Sequence, residues 1–468
     1  MLSLLPVITL AQATPTPPPT EIKVPQAVRV LPGQLDSVLV FNSNSPELVQ
    51  TEGILLSTFP PQGKRTPSAH LNLPLQGRFD IFAHHIAKAK TPEDLRTLYL
   101  GVLLHNPSSQ PVTVDILQAA SYLSQPDAPF IDLPAYVDNP LGTVYAGPGS
   151  RAMTDILRGK RQQDFPAQLV IPPQQSQMVL NLPIPVKTLE PPINGRSTLM
   201  RLRSDRPVYA ASLAMFAPVD ASGNERAPTV EEWQTLLETG ELSGPRDKTP
   251  TPPDQKKGQI IYGRVAGVAR GSRWNAQIVD PPGIQPSNPN TWYLSIPPVG
   301  QAFSYGLSTL IGGTLGTGQV ETAPMIARYP DTAYQAHGNY AIEYNLTLPL
   351  RNSTNQTQTV AIALETPIKE DKPKDGQLRF LEPPARQVFF RGTVRIRYND
   401  DRNLPQTRYV HLVQRRGQQG EPLAVMTLKP GDRRLVKFDF LYPPDSTPPQ
   451  ILTVKSLNPS NSDEGMKE

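Results

Sequence analysis

The chain has 468 residues and no cysteine, which excludes disulfides, thiolate metal sites and cysteine nucleophiles. Proline supplies 55 residues, about 12 % against a usual share of roughly 5 %, and this frequency disfavours long helices. With 38 % hydrophobic residues, a net charge of +4 and no block of basic residues, the chain is expected to fold into two or more domains and not to bind nucleic acid.

The N-terminal segment has the pattern of an export signal. Residues 2–10 form an apolar run that Ala11-Gln12-Ala13 follows as a cleavage motif, so we expect a signal peptide at residues 1–13. No Lys or Arg precedes the run, which indicates a truncated signal and a start codon upstream of Met1. We expect an exported protein, periplasmic or on the cell surface. The mature chain should lack a transmembrane segment, because no later stretch is long and apolar enough.

Residues 14–27 are rich in proline and threonine and are expected to form an extended spacer. The first β-sandwich-like domain is predicted at residues 28–244. Apolar residues alternate over residues 98–104, a polar turn follows at 106–110, and alternation resumes over 112–116. This order predicts a β-hairpin.

Three further features are predicted before the middle of the chain. Residues 199–202 and 208–216 are expected to pair as a second hairpin. Short helices are expected after Thr91, which Pro92 follows as a first helical residue, at residues 150–158, and after Thr229, where Thr229 and Glu232 have the spacing of a capping box. Residues 245–258 are proline-rich and are predicted to be a linker.

The second β-sandwich-like domain is predicted at residues 259–457. Apolar residues alternate over residues 340–350, a polar turn follows at 352–356, and alternation resumes over 360–364. This is the order of strand, turn and strand found in the first half, and it again predicts a hairpin.

The two halves also share a proline-containing turn further along, after Ile171 and after Leu428. The pattern predicts an all-β fold with minor short helices, arranged as two immunoglobulin-like or jelly-roll-like β-sandwich domains. Duplication of one domain explains the recurrence; chance recurrence in a strand-rich chain is the alternative. The tail, residues 458–468, is polar and expected to be disordered.

No motif points to a particular catalytic chemistry. Residues 312–318 are glycine-rich but lack the Lys and Ser/Thr of a phosphate-binding loop, and no G-x-S-x-G pattern marks a serine nucleophile. His84 and His85 are adjacent, so in a strand they point to opposite faces and are not expected to share a metal ion. We therefore expect no cofactor and no metal site, and the sequence favours a non-enzymatic protein.

One segment concentrates aromatic side chains among Pro, Asn and Gly residues. On exposed loops these side chains could stack on sugars or on the prolines of a partner, and in a sandwich interior they would be core residues. The candidate recognition residues are Trp274, Trp292, Tyr293 and Tyr305.

Four stretches carry a family resemblance: FDIFAHH at residues 79–85, YAGPGSR at 145–151, GRVAGV at 263–268 and YPDTAY at 329–334. They resemble a cyanobacterial family of exported proteins of unknown function, over nearly the whole mature chain. The resemblance implies membership and supplies no catalytic or binding residues.

These observations favour a non-enzymatic structural or interaction module of the cell envelope, with an envelope protein or polysaccharide as its partner. The alternative is a glycan-binding or glycan-hydrolysing protein of the periplasm or cell surface. Carboxylate pairs for glycan hydrolysis cannot be chosen from sequence, because their separation is a three-dimensional quantity.

Overall fold

The computed structural model of the chain describes residues 18–88, 91, 93–255, 258–281 and 292–458. The predicted signal peptide at 1–13, the start of the predicted spacer and residues 459–468 of the predicted tail lie outside the described residues. Within the described part, no helix is long and apolar enough to cross a membrane.

The all-β prediction is confirmed, with two short α-helices and two 3-10 turns in the described residues. The first half forms β1 (Thr20–Pro25), β2 (Ala27–Arg29), β3 (Gln34–Leu35), β4 (Leu39–Ser43), β5 (Leu48–Val49), β6 (Gly53–Ser57), a 3-10 turn (Pro67–Ala69), β7 (Leu75–Lys88), β8 (Leu98–His105), β9 (Val112–Leu123), β10 (Tyr136–Asp138), α1 (Pro148–Leu157), β11 (Gln168–Ile171), β12 (Ser176–Ile184), β13 (Ile193–Phe216) and α2 (Val230–Thr239).

The second half adds only strands and one further 3-10 turn in the described residues. They are β14 (Ala266–Arg270), β15 (Arg273–Gln277), β16 (Leu294–Ser295), β17 (Ala302–Leu307), β18 (Ala323–Arg328), β19 (Gln335–Ala336), β20 (Glu343–Arg351), β21 (Gln358–Glu365), the 3-10 turn (Lys374–Gly376), β22 (Gln377–Glu382), β23 (Val388–Asn399), β24 (Pro405–Arg415), β25 (Pro422–Leu428), β26 (Arg433–Leu441) and β27 (Gln450–Ser456).

The predicted helices at residues 150–158 and after Thr229 are confirmed, whereas no helix is formed at the described residues 91 and 93–97, where a third was predicted. The helix α2 follows a complete capping box, in which the Thr229 hydroxyl accepts a hydrogen bond from the Glu232 N–H and the Glu232 carboxylate accepts one from the Thr229 N–H. Its residue Trp233 is fully buried, so the apolar side of the helix covers the first half of the molecule.

The strands of the predicted hairpins exist, but their predicted pairing is wrong. β8 pairs with β12 and β13, whereas β9 pairs with β11 and β13. In the second half, β20 pairs with β15, β16 and β26, whereas β21 pairs with β25 and β27. Each turn therefore carries the chain between facing layers. The third predicted hairpin, at residues 199–216, is part of the uninterrupted strand β13, which is long enough to join both layers.

A buried asparagine anchors each of these inter-layer turns in the same way. The Asn106 Nδ2 donates to the carbonyl oxygens of Gln110 and Ile171, at 2.7 and 3.0 Å. The Asn352 Nδ2 donates to the carbonyl oxygens of Gln356 and Leu428, at 2.7 and 2.9 Å. Both Oδ1 atoms accept from the backbone N–H and the side-chain hydroxyl two residues further on.

The order of strands repeats as well. One layer of the first half runs β11-β9-β13-β7-β4, and one layer of the second half, which the early strand β2 completes, runs β25-β21-β27-β17-β2. In both runs the first three neighbouring pairs are antiparallel and the last pair is parallel. The shared topology and the matching asparagine turns favour duplication over chance recurrence.

Strand pairing nevertheless crosses the predicted linker at residues 245–258. β14, which follows it, pairs with β4, and the early strands β2 and β3 pair with β17 and β15. Residues 20–25 of the predicted spacer form β1, which pairs with β22 because Ile22 and Val24 pack on an apolar cluster there. The two halves therefore share strands, and their division into two domains stays a prediction.

Candidate functional site

Two of the four candidate recognition residues lie in the core. Trp274 is 6 % exposed, its Nε1 donates to the Pro32 carbonyl oxygen at 2.9 Å, and its ring stacks on Tyr344. Tyr305 is 3 % exposed and packs edge-on against Phe303. Both side chains stabilise the sandwich interior and are not available to a partner.

The other two lie together at the surface of the second half. The side chain of Trp292 is 71 % exposed, whereas its neighbour Tyr293 is buried beneath arginines. The guanidinium carbon of Arg351 is 4.5 Å from the centroid of the Tyr293 ring, and that of Arg433 is 6.0 Å away. Trp292 thus stands beside a cationic cluster built on an aromatic ring.

The antiparallel register of β20 and β26 places these cations on one face. Arg351 is opposite Arg433, and Pro349 is opposite Leu435. Directly opposed residues share a face, and alternate residues of a strand return to that face, so Lys437 is on it too. We call this surface the arginine face; it consists of Trp292, Tyr293, Pro349, Arg351, Arg433, Leu435 and Lys437, together with Arg434, which is opposite the buried Leu350 but lines the same groove at the strand end.

The positive charges of the arginine face have no carboxylate partner among the described residues. In the described part of the chain, no carboxylate oxygen lies within 4.0 Å of the charged nitrogens of Arg351, Arg433, Arg434 or Lys437. On the same sheet, Arg395 and Arg397 are both paired with Asp439, at 3.0 and 2.8 Å. The Nε atoms of Arg351 and Arg434 are also buried without a hydrogen-bond partner among the described residues.

A groove of about 430 Å³ runs along this surface between Trp292 and β26. Part of the groove wall is apolar, because the exposed Leu435 and the half-buried Pro349 line it together with the tryptophan. An aromatic ring next to guanidinium groups can stack on the flat face of a ligand and bind its carboxylates or sulfates in two-pronged hydrogen bonds.

The histidines take structural positions. The His84 Nδ1 is 2.7 Å from the Ser197 hydroxyl, and the His85 imidazole lies between the Ser43 hydroxyl and the Pro46 carbonyl oxygen, at 2.9 and 2.8 Å. Burial lowers the pKa of His85 to about 4, so this imidazole is neutral at pH 7. No group of three or more possible metal ligands is found in the part of the chain that the structure describes.

Sequence reasoning found Trp292 and Tyr293 but missed the arginines around them. The signal was present in β26, where Arg433, Leu435 and Lys437 alternate with the buried Val436 and Phe438. What the sequence could not show is that Arg351, some eighty residues earlier, lies opposite Arg433.

Comparison with known proteins identifies a family for nearly the whole chain. A family model described as "Protein of unknown function (DUF3370)" matches residues 26–456. No curated protein matches the chain.

Proposed function

We propose that this chain, which belongs to the DUF3370 family, is an exported, non-enzymatic protein of the periplasm or cell surface that binds an acidic polysaccharide through its arginine face. The observation that carries the proposal is an exposed tryptophan that shares a groove with Arg433 and Arg434, on a surface whose four cations have no carboxylate partner in the described residues. Unpaired charge of one sign on an exposed surface raises the local concentration of ligands of the opposite sign.

The geometry of the face favours an extended polymer over a small anion. Arg433 and Lys437 are four residues apart on one strand, which separates them by about 13 Å at ~3.3 Å per residue. A chain of uronic acid or sulfated sugar residues has charges spread over such a distance, and its rings offer faces that an exposed tryptophan can cover. Leu435 and Pro349 supply apolar contacts between the charges.

Export is supported by the signal-like residues 2–13 and their Ala-Gln-Ala motif. N-terminal sequencing of the protein from a producing cell should give Thr14 as the first residue. An intact Met1 in the mature protein would contradict export. A protein that is not exported would not reach the polysaccharides of the cell envelope.

The binding proposal is tested by calorimetric titration of the full chain with polygalacturonate, with dextran as the uncharged polymer. The variant Arg433→Gln/Lys437→Gln keeps most of each aliphatic stem and removes two charges. Exposed charge pairs contribute up to about 1 kcal/mol each, so we expect roughly tenfold weaker binding. Binding should also weaken as salt rises from low concentration to about 0.15 M, where charges more than ~8 Å apart are screened.

The matched control is Arg203→Gln/Arg206→Gln, which removes two exposed positive charges from β13 in the first half. Its affinity should stay within about twofold of the original protein. Equal weakening in both variants, or dextran binding as tight as polygalacturonate binding, contradicts the proposal. Tighter binding of an oligothymidine than of polygalacturonate would assign the face to nucleic acid, and release of reducing sugars would contradict a non-enzymatic role.

A further inference from the structure

A second candidate site is a cavity of about 290 Å³ where the two halves meet. The end of β4 contributes Asn42 and Asn44 from the first half, and the segment before β14 contributes Tyr262 and Arg264. The remaining wall comes from the second half, at residues 310, 336–340, 369, 444 and 446–448. Its size lies at the lower end of the ~300–1,000 Å³ typical of ligand pockets, which fits a ligand of one ring.

Polar atoms without partners gather around this cavity. Asn42, Asn44 and Ser446 are 3, 6 and 1 % exposed, and the Oδ1 of each asparagine and the Oγ of the serine lack a hydrogen-bond partner among the described residues. The Nδ1 of His337, on the same wall, is also buried and unpartnered. A buried polar atom without a partner costs roughly 1–3 kcal/mol, so four of them lining one cavity indicate a ligand that supplies donors and acceptors.

The cavity also has a lysine without a carboxylate partner. The Lys369 Nζ donates to the Tyr262 hydroxyl at 3.3 Å, and no carboxylate oxygen in the described part of the chain lies within 4.0 Å of it. Burial lowers the pKa of Lys369, while the more distant Asp371 opposes this effect. The Asp371 carboxylate instead accepts hydrogen bonds from the backbone N–H groups of Gly312 and Thr314.

The other charges of the cavity wall compensate each other. Glu47 forms an ion pair with Arg264 and is 3.5 Å from the His84 Nε2, and these contacts lower the pKa of Glu47 to about 2. Burial lowers the pKa of His337 to about 4, so this histidine is neutral at pH 7. Among the described residues of the wall, Lys369 therefore carries the positive charge that has no carboxylate within 4.0 Å.

An aromatic wall completes the site. The rings of Tyr262 and His337 lie 4.8 Å apart, and Lys369 is 4.9 Å from the Tyr262 centroid. These two rings also line the neighbouring cavity of about 400 Å³ beside residues 251–253, 255 and 260–261, so they separate the two spaces. A ligand in the first cavity would contact a flat apolar surface on this side and amide and hydroxyl groups on the other.

We infer that this cavity binds a monosaccharide acid, a single hydroxyl-rich ring with one carboxylate. The carboxylate pairs with Lys369, the ring hydroxyls donate to the Oδ1 atoms of Asn42 and Asn44 and bond to Ser446, and the ring lies against Tyr262. The inference stands on this cavity alone and does not require polymer binding at the arginine face.

The probe is D-glucuronate, titrated calorimetrically into the full chain at pH 7, with D-glucose as the analogue that lacks the carboxylate. We expect one binding site for glucuronate and at least tenfold weaker binding of glucose. In Lys369→Met the preference for glucuronate should vanish, because methionine fills similar space without the charge. In Asn44→Ala both sugars should bind more weakly by a similar factor.

The control for the lysine is Lys429→Met, which removes an exposed positive charge in the turn before β26 and should leave both affinities within about twofold. Thermal unfolding of each variant shows whether it is folded, and Asn44→Ala probes the same site with the lysine intact. No glucuronate binding by the original protein, equal binding of the two sugars, or an unchanged preference in folded Lys369→Met overturns the inference. The Arg433→Gln/Lys437→Gln variant should bind glucuronate normally, which separates this site from the arginine face.

Discussion

Glu321 is a buried carboxylate whose protonation makes the stability of the fold depend on pH. Its carboxylate accepts hydrogen bonds from the Ser308 N–H and the Tyr344 hydroxyl, both at 2.8 Å, yet burial raises its pKa to about 7. The folded chain therefore holds a proton on this group at pH values where the unfolded chain, with a pKa near 4.5, has lost it. Glu321 thus contributes stability at low pH that is lost as pH rises through about 7.

We predict that Glu321→Gln removes this part of the pH dependence. A pKa of about 7 against 4.5 corresponds to up to about 3 kcal/mol of stability lost between pH 5 and pH 8. Urea unfolding at several pH values should therefore give a shallower decline for the variant than for the original protein. Parallel curves for the two proteins would show that Glu321 does not titrate in this range.

Individual residues also show which parts of the candidate site the sequence could and could not identify. Trp274 and Trp292 look alike in the sequence, but Trp274 lies in β15 on its inward face, and Trp292 precedes the short strand β16. Exposure depends on which layer covers each strand, and that is set by residues distant in the chain. The sequence therefore supplied the aromatic residues of the site without separating core from surface.

For the strands, the sequence predicted the positions but not the pairing. Strand positions followed from the apolar residues of β8, β9, β20 and β21. Burial alternates in β20 and at the start of β9, and it extends to both faces through most of β8 and β21. The same alternation suits a hairpin and a turn between facing layers, so periodicity could not distinguish them. Asn106 and Asn352 favour the turn between layers over the hairpin, because their amides donate hydrogen bonds to the carbonyl oxygens of Ile171 and Leu428 on later strands.

We predict that the two asparagines are equivalent. Asn106→Asp and Asn352→Asp each place a carboxylate oxygen against two carbonyl oxygens in a fully buried site, where the amide had donated two hydrogen bonds. Each change should lower the free energy of unfolding by about 2–4 kcal/mol. The control is Asn355→Asp, in the exposed part of the same turn, which should change it by less than about 0.5 kcal/mol.

Denaturant unfolding monitored by circular dichroism measures these changes. If one asparagine proves critical and the other dispensable, the two turns are not equivalent and the argument for duplication loses its strongest local support. Similar losses at both sites would agree with the matching strand orders of the two halves.

At the scale of the whole molecule, a buried ion network joins the halves. Arg201 on β13 is 3 % exposed; its Nη2 is 2.6 Å from the Glu343 carboxylate on β20 and its Nε is 3.8 Å from that of Asp80 on β7. Glu343 also pairs with Arg273 at 3.0 Å. Together with the strands that cross residues 245–258, this network couples two units that the sequence presents as separate.

We predict that Arg201→Met destabilises the protein by about 3 kcal/mol, because it leaves buried carboxylates with less compensation. Arg226→Met breaks a partly exposed pair with Glu232 and should cost less than about 1 kcal/mol. Urea unfolding compares the two variants. The original protein should unfold in one transition because its halves share strands, whereas two separate transitions would support the predicted independent domains.

The central claim, that the arginine face is the surface that binds acidic polysaccharide, is tested most directly by tryptophan fluorescence. The chain has three tryptophans, and their exposed fractions are 0 % for Trp233, 6 % for Trp274 and 71 % for Trp292, so quenching by acrylamide reports mainly on Trp292. We predict that saturating polygalacturonate protects this fluorescence from acrylamide, and that the protection is absent in Trp292→Phe, which still binds the polymer. Bound polygalacturonate that leaves Trp292 as accessible as in the free protein would contradict the account.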